Sequence, residues 1–206
     1  LALKEVLIKR LNNSKSPTPH LNDSIDMVEN LHITAEKKIP KGAGLGGGSS
    51  NAGAVINAFC AHFELTLSNA EILYIAQKSG ADVAFFLHCH TSANVSGVGE
   101  VVEEFNEEDL TFEIFTPSIA CNTPLVYQTL DEMVAKKLAQ YADSKQSRDL
   151  FALKSEQILR IHTKENLNGL YIAALHAYPQ LAQVARDLGD EWFFSGSGSS
   201  FFRLAR

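Results

Sequence analysis

Apolar residues at Leu3, Val6, Leu7 and Leu11 recur with helical spacing, so a helix is predicted over Leu1–Leu11 with no capping residue ahead of it. A helical pattern already under way at a first residue that is not methionine implies that the natural chain begins earlier. Ser14–Asp23 reads as a polar loop containing prolines, and Ile25–Ile39 reads as extended. In the second half of that segment Leu31, Ile33, Ala35, Lys37 and Ile39 alternate with His32, Thr34, Glu36 and Lys38. That period of two describes a strand with one wet face, ended by Pro40.

A run of glycines leads directly into a helix whose stripe is Ala52, Val55, Ile56, Phe59 and Phe63. Ser68-Asn69-Ala70-Glu71 has the form of a capping box opening a further helix, with Ile72, Leu73, Ile75 and Ala76 inside it and Gly80 as its stop. Val83–Leu87, Ser92–Val95 and Val98–Glu104 read as strands, with Gly97 and Gly99 supplying the turn. The second half predicts a strand at Phe112–Phe115 and helices near Leu125–Tyr141, Leu150–His162, Leu167–Ala177 and Leu181–Leu188. Trp192–Phe194, Ser195–Ser200 and Phe201–Leu204 read as strand, Gly/Ser turn, strand. A boundary near Glu108–Thr111 gives halves of residues 1–108 and 109–206, and the class expected is α+β.

Composition narrows the function classes. With 206 residues and 45% hydrophobic content, the chain can bury one substantial core or two smaller ones. A net charge of −6 without any Lys/Arg cluster argues against a nucleic-acid partner, which needs a basic face. Phosphorylated small molecules stay open, because a nest of backbone N–H groups holds phosphate without a basic surface. Gly42–Phe63 carries no charge over 22 residues, but its six glycines, bunched at one end, mark a loop feeding a helix and not a membrane span. Cys60, Cys89 and Cys121 form no closely spaced pair, which predicts a reducing, cytoplasmic setting.

The segment Pro40-Lys41-Gly42-Ala43-Gly44-Leu45-Gly46-Gly47-Gly48-Ser49-Ser50 carries the most chemistry. Glycines let the backbone come close to a ligand, and the helix beginning near Ser49 adds free N–H groups and the positive end of its dipole. Ser49 and Ser50 offer hydroxyls to a phosphate oxygen or to the surroundings of a Mg²⁺ ion. A Walker loop is excluded, because Gly48 stands where its lysine would be. Gly42, Gly44 and Gly47 also spell the dinucleotide fingerprint GxGxxG, with Glu64 22 residues beyond Gly42. The strand ahead of it alternates and carries Lys37 and Lys38, unlike the buried first strand of that fold. A flexible turn without a ligand is the plainer alternative.

On these residues the chain resembles the GHMP kinases, the group of galactokinase, homoserine, mevalonate and related kinases. Pro40-x-Gly42-x-Gly44-Leu45-Gly46-x-x-Ser49-Ser50 matches their phosphate-binding signature. The fuller Gly-Leu-Gly-Gly-Gly-Ser-Ser-Asn is the variant of the branch acting on a cytidine diphosphate derivative of a sugar alcohol. Two further motifs match: Gly80-Ala81-Asp82-Val83-Ala84-Phe85-Phe86, and the turn Ser195-Gly196-Ser197-Gly198-Ser199-Ser200. The resemblance implies a two-domain GHMP fold, with a ribosomal-protein-S5-like first half and a ferredoxin-like second half. It also implies ATP and Mg²⁺ as cofactors, a small-molecule substrate, no membrane, and a monomer or weak homodimer.

By itself Asp82 reads as a turn or capping carboxylate; the resemblance makes it the general base that takes the proton of the attacking hydroxyl. Gly196, Ser197 and Gly198 are expected near the substrate, although an ordinary hairpin turn has the same composition. Thr123 is expected either near the substrate or as a helix N-cap ahead of Pro124. His88-Cys89-His90 is read as a strand end, since no second Cys/His pair stands at zinc-like spacing. The family's N-terminal lysine motif, Pro-x-Lys-x-Asn, and its early cytosine-binding His/Tyr residues are absent and are expected upstream of Leu1. The reaction implied is transfer of the γ-phosphoryl group of ATP to a tertiary hydroxyl in non-mevalonate isoprenoid synthesis. Another GHMP kinase, or a nucleotide-binding protein of this fold that transfers nothing, remains the alternative.

Overall fold

A computed structural model describes residues 1–13, 19–141 and 149–205. The chain forms two compact units: Leu1–Lys37 with Gly47–Asn106, and Lys38–Gly46 with Glu107–Arg206. The first half is therefore not continuous, because the opening of the glycine loop clusters with the second unit.

The first unit contains α1 (Ala2–Asn13), α2 (Pro19–Asn30), α3 (Gly47–His62), α4 (Asn69–Ser79), α5 (Val83–His88) and the antiparallel pair β1 (Ala93–Ser96) and β2 (Val101–Glu104). Its core joins Leu3, Val6 and Leu7 of α1, Leu21 of α2, Phe59 of α3, Ile72 and Ile75 of α4, and Val83, Ala84 and Leu87 of α5. Arg10 fixes α1 to α4 with two charged hydrogen bonds to the Glu71 carboxylate, 2.6 and 2.5 Å long. Glu71 also accepts from the Ser68 backbone N–H at 2.8 Å, the reciprocal bond expected of a capping box, and Gly80 closes α4 at φ 135°. Gly97 (φ 72°) and Gly99 (φ 115°) make the hairpin turn, and the second strand starts at Val101 instead of Val98.

Three segments of this unit differ from the sequence expectation. Pro19–Asn30 is helical, not loop and strand. Pro19 suits a first helical position, and Leu21, Ile25 and Val28 fall on one stripe against the core. The alternating residues 31–39 are exposed and form no strand among the described residues. Alternation becomes a strand only where a neighbouring backbone completes the ladder, and no described residue pairs there. Val83–Leu87 is likewise helical: a short apolar run does not by itself choose between periods. Helix α5 approaches α3 so closely that a Cβ added at Gly53 would lie 2.5 Å from the Phe86 Cβ. The Asn57 side chain donates to the Phe86 carbonyl at 3.0 Å across the same contact.

The second unit contains β3 (Phe112–Phe115), α6 (Thr123–Ala135), α7 (Ser155–Ile161), α8 (Lys164–Leu167), α9 (Tyr171–Ala177), α10 (Gln180–Leu188), β4 (Phe193–Phe194) and β5 (Phe201–Leu204). The strands form an antiparallel sheet in the order β3-β5-β4, with Phe194 opposite Phe201 and Phe115 opposite Phe201 on the other side. Val126, Leu130 and Met133 of α6, Ala174 of α9 and Leu181 and Ala185 of α10 pack with Phe194 and Phe201. The long helix expected to Tyr141 stops at Ala135. The one expected over Leu167–Ala177 is two helices, because the Asn168 side chain accepts the Leu170 N–H at 2.9 Å and turns the chain between them. No helix among the described residues is long and apolar enough to cross a membrane.

Candidate active site

The first part of the glycine loop belongs to the second unit and is clamped to the Ser195–Ser200 turn. The Gly42 carbonyl accepts from the N–H groups of Cys121 (3.0 Å) and Ser199 (3.1 Å), and the Ala43 carbonyl accepts from Ser200 N–H at 2.9 Å. The Ser195 hydroxyl donates to the Gly44 carbonyl at 2.8 Å. Gly44 has φ 71°, and a Cβ there would lie 2.2 Å from the Ser195 carbonyl oxygen. The glycine at 44 is thus required by the approach of two backbone segments, a different reason from the ligand approach expected from sequence. Pro40 and Lys41 are exposed, Ala43 is buried, and Leu45 and Gly46 are half-buried.

Within this unit, the Thr123 and Ser197 hydroxyls share a 2.7 Å hydrogen bond, so two residues expected near the substrate touch each other. Thr123 is not the N-cap. Asn122 takes that position, and its side chain accepts the Leu125 N–H at 3.0 Å. Gly196 and Gly198 both adopt positive φ in the turn, at 53° and 90°. Ser199 is fully buried and its hydroxyl has no partner among the described residues. Sequence reasoning missed Asn168, whose amide donates to the carbonyls of Phe194 (3.0 Å) and Gly196 (2.9 Å), and Tyr178, whose hydroxyl accepts the Asn122 N–H at 2.8 Å. The Asn168-Gly169 pair is a turn signal, but nothing local reveals a bond to carbonyls 26 and 28 positions away.

The rest of the loop, Gly47 to Ser50, opens the 16-residue helix α3 in the first unit. Gly48 is exposed, and a Cβ there would meet nothing within 4 Å. Ser50 turns its hydroxyl back to the Gly47 carbonyl at 3.2 Å, whereas Ser49 faces Gly80: a Cβ on Gly80 would lie 4.0 Å from the Ser49 Oγ. Asp82 follows two residues later at the start of α5, exposed and making no capping hydrogen bond. The unit thus sets Gly80, two residues before an exposed carboxylate, against a helix N-terminus that carries a hydroxyl, and that terminus is electropositive. Among the described residues, no three His, Cys, Asp or Glu side chains come together as a metal cage. A magnesium ion shared mainly with phosphate oxygens and water needs no such cage, and the Ser49 hydroxyl fits that mode of binding.

The His88 and His90 rings stack 5.5 Å apart, and burial together with His90 pushes the His88 imidazole below its ordinary pKa. The three cysteines are free, and burial raises the Cys60 and Cys121 thiols.

Residues 7–90 match the model of the GHMP kinases N terminal domain. The chain is 40% identical over 189 residues to the 4-diphosphocytidyl-2-C-methyl-D-erythritol kinase of Sulfurovum sp. (strain NBC37-1), covering 91% of this chain and 70% of that protein. This chain belongs to the 4-diphosphocytidyl-2-C-methyl-D-erythritol kinase family of GHMP kinases. Its relative in Helicobacter acinonychis (strain Sheeba), of the same name, is 39% identical over 183 residues, 87% of this chain and 65% of that one. A crystal structure of 4-(cytidine 5'-diphospho)-2C-methyl-D-erythritol kinase superposes with a TM-score of 0.57 at 32% identity, covering 83% of this chain and 60% of that one. The α+β class expected from the sequence is that of the family. The chain spans roughly two thirds of the length of the family members it matches.

Proposed function

We propose that the full-length protein transfers the γ-phosphoryl group of ATP to the 2-hydroxyl of 4-diphosphocytidyl-2-C-methyl-D-erythritol, a step toward isoprenoid precursors. The observation that carries this reading is the approach of Gly80, two residues before the exposed Asp82, to the Ser49 end of α3. Backbone N–H groups of Gly46–Ser50 hold the triphosphate, and the Pro40–Leu45 stretch gives that segment its path. Magnesium carried with ATP would neutralise charge on the phosphates, and the Ser49 hydroxyl would be the residue at hand to help hold it. Asp82 accepts or orients the proton of the attacking hydroxyl. Because phosphoryl transfer depends mainly on positioning and charge stabilisation, these groups supply the parts that the reaction asks of this portion of the chain. Gly196, Ser197, Gly198 and Thr123 of the second unit are the residues proposed to meet the substrate.

In the same reading the enzyme works in the cytoplasm, as a monomer or weak homodimer, on small molecules and not on nucleic acid. The three free cysteines support the cytoplasmic setting, and the net charge of −6 supports the exclusion of nucleic acid. The test is a panel of 4-diphosphocytidyl-2-C-methyl-D-erythritol, homoserine, mevalonate and galactose offered to full-length protein with ATP and Mg²⁺, with ADP release measured. Turnover of the cytidine diphosphate compound above all others is expected. Preference for any other acceptor, or nucleotide binding with no turnover at all, refutes the proposal.

A further inference from the structure

We infer that Asn168 is a positioning residue for the nucleotide loop, acting through the Ser195–Ser200 turn; the inference rests on the kinase reading given above. Both amide protons of Asn168 are committed, to the carbonyls of Phe194 (3.0 Å) and Gly196 (2.9 Å), which bracket Ser195. Its oxygen accepts the Leu170 N–H at 2.9 Å, so the bonding pattern itself dictates which way the amide faces. Ser195 then donates its hydroxyl to the Gly44 carbonyl, and the next bonds of the turn, from Ser199 and Ser200 N–H, go to Gly42 and Ala43.

The anchor at the other end is firm. The Asn168 carbonyl accepts the Tyr171 N–H at 3.0 Å, and Tyr171 is buried with its ring 5.3 Å from that of Phe194. Beside the turn lies a cavity of about 260 Å³ lined by Lys164, Leu167, Asn168, Phe193, Ser195 and Gly196, among others. Packing alone therefore does not hold the turn on that side, and the Asn168 amide bridges the gap. A neutral amide donating twice is what two carbonyls require; a carboxylate in the same shape would repel both while keeping the Leu170 bond.

Asn168→Asp is accordingly the informative variant, with Asn168→Ala beside it, both in full-length protein. Amide hydrogen exchange at Ser199 and Ser200 should rise about tenfold or more in Asn168→Asp, with the α6 amides unchanged. KM for ATP should rise about tenfold, and KM for the alcohol should rise with it because the same turn carries Gly196 and Ser197, while kcat stays near wild type. Ser195→Ala should raise KM for ATP comparably, and the double variant should add little to either single one, since both lie on one path. Unchanged exchange at Ser199 and Ser200 overturns the inference, as do fully additive effects on KM. If wild-type protein transfers phosphate to no acceptor, the kinase reading fails on its own, and the exchange measurement still decides the role of Asn168.

Discussion

Gly44 and Gly48 stand four positions apart in one glycine run, yet alanine should act on them in opposite ways. At Gly44 a side chain must adopt φ 71° and place its Cβ 2.2 Å from the Ser195 carbonyl oxygen and 2.9 Å from Gly198 backbone atoms. The left-handed conformation costs an L-residue about 1–2 kcal/mol, and forcing a methyl group into a packed site costs about 1–3 kcal/mol more. Taking a total of about 3 kcal/mol, and about 2–4 °C per kcal/mol for a chain of this size, Gly44→Ala should lower Tm by roughly 6–12 °C. At Gly48 the added methyl group meets nothing within 4 Å, and alanine favours a helix over glycine by up to about 1 kcal/mol. Gly48→Ala should therefore leave Tm unchanged or raised by a few degrees. In the proposed reading its penalty comes only with ligand, as a KM for ATP raised about tenfold or more, because the methyl group would occupy space assigned to the triphosphate. Circular dichroism melts and ADP-release kinetics on both variants decide the matter. Equal Tm losses at the two positions, or a wild-type KM in Gly48→Ala, would show that the division of labour along the loop is misassigned.

Three further outcomes follow from the same geometry. Asp82→Asn should lower kcat roughly 100-fold or more while ATP binding, measured by titration, stays near wild type; near-normal turnover removes Asp82 from the chemistry. Ser49→Ala should reduce kcat/KM about tenfold, whereas Ser50→Ala, whose hydroxyl already bonds the Gly47 carbonyl, should cost far less; the reverse order in steady-state kinetics would exchange their roles. The Arg10 hydrogen bond holds the Glu71 carboxyl at about 2, below its ordinary 4.5. A depressed carboxylate stabilises the fold above its ordinary pKa and loses that contribution as pH falls toward 2. Melts between pH 6 and pH 2 should therefore show a smaller drop for Glu71→Gln than for wild type, and parallel curves would remove this ion pair from the acid response.

Much of the molecule could be read from local pattern. The α1 stripe, the Ser68–Glu71 cap, the Gly97/Gly99 hairpin turn and the strand–turn–strand at the C-terminus all depend on neighbours close in sequence. Expectation and structure part where the deciding partner is remote in sequence. Residues 31–39 alternate like a strand but have no ladder beside them, and Val83–Leu87 is too short for its periodicity to outweigh packing against α3. Pro19–Asn30 was hidden by its polar residues, although Leu21, Ile25 and Val28 already had helical spacing. Within the candidate site, the glycine and serine residues were legible as types. What Gly42 and Gly44 do was not, since their requirement comes from backbone more than 75 positions along the chain. Asn168 is equally hidden, its carbonyl partners lying 26 and 28 positions away.

The contact between Gly53 and Phe86 bears on how the enzyme could be retuned. By helix rise, Gly53 sits about 6 Å beyond Ser49 on α3, and Phe86 lies one turn beyond Asp82 on α5. The absent side chain at 53 acts as a shim of zero thickness between the two rods. Even one methyl inserted there must wedge them apart, moving a carboxylate that never touches residue 53. The spacing between the start of α3 and the start of α5 is thus adjustable from a position outside both, and in the proposed reading graded substitution there shifts the base relative to the phosphate without altering either group.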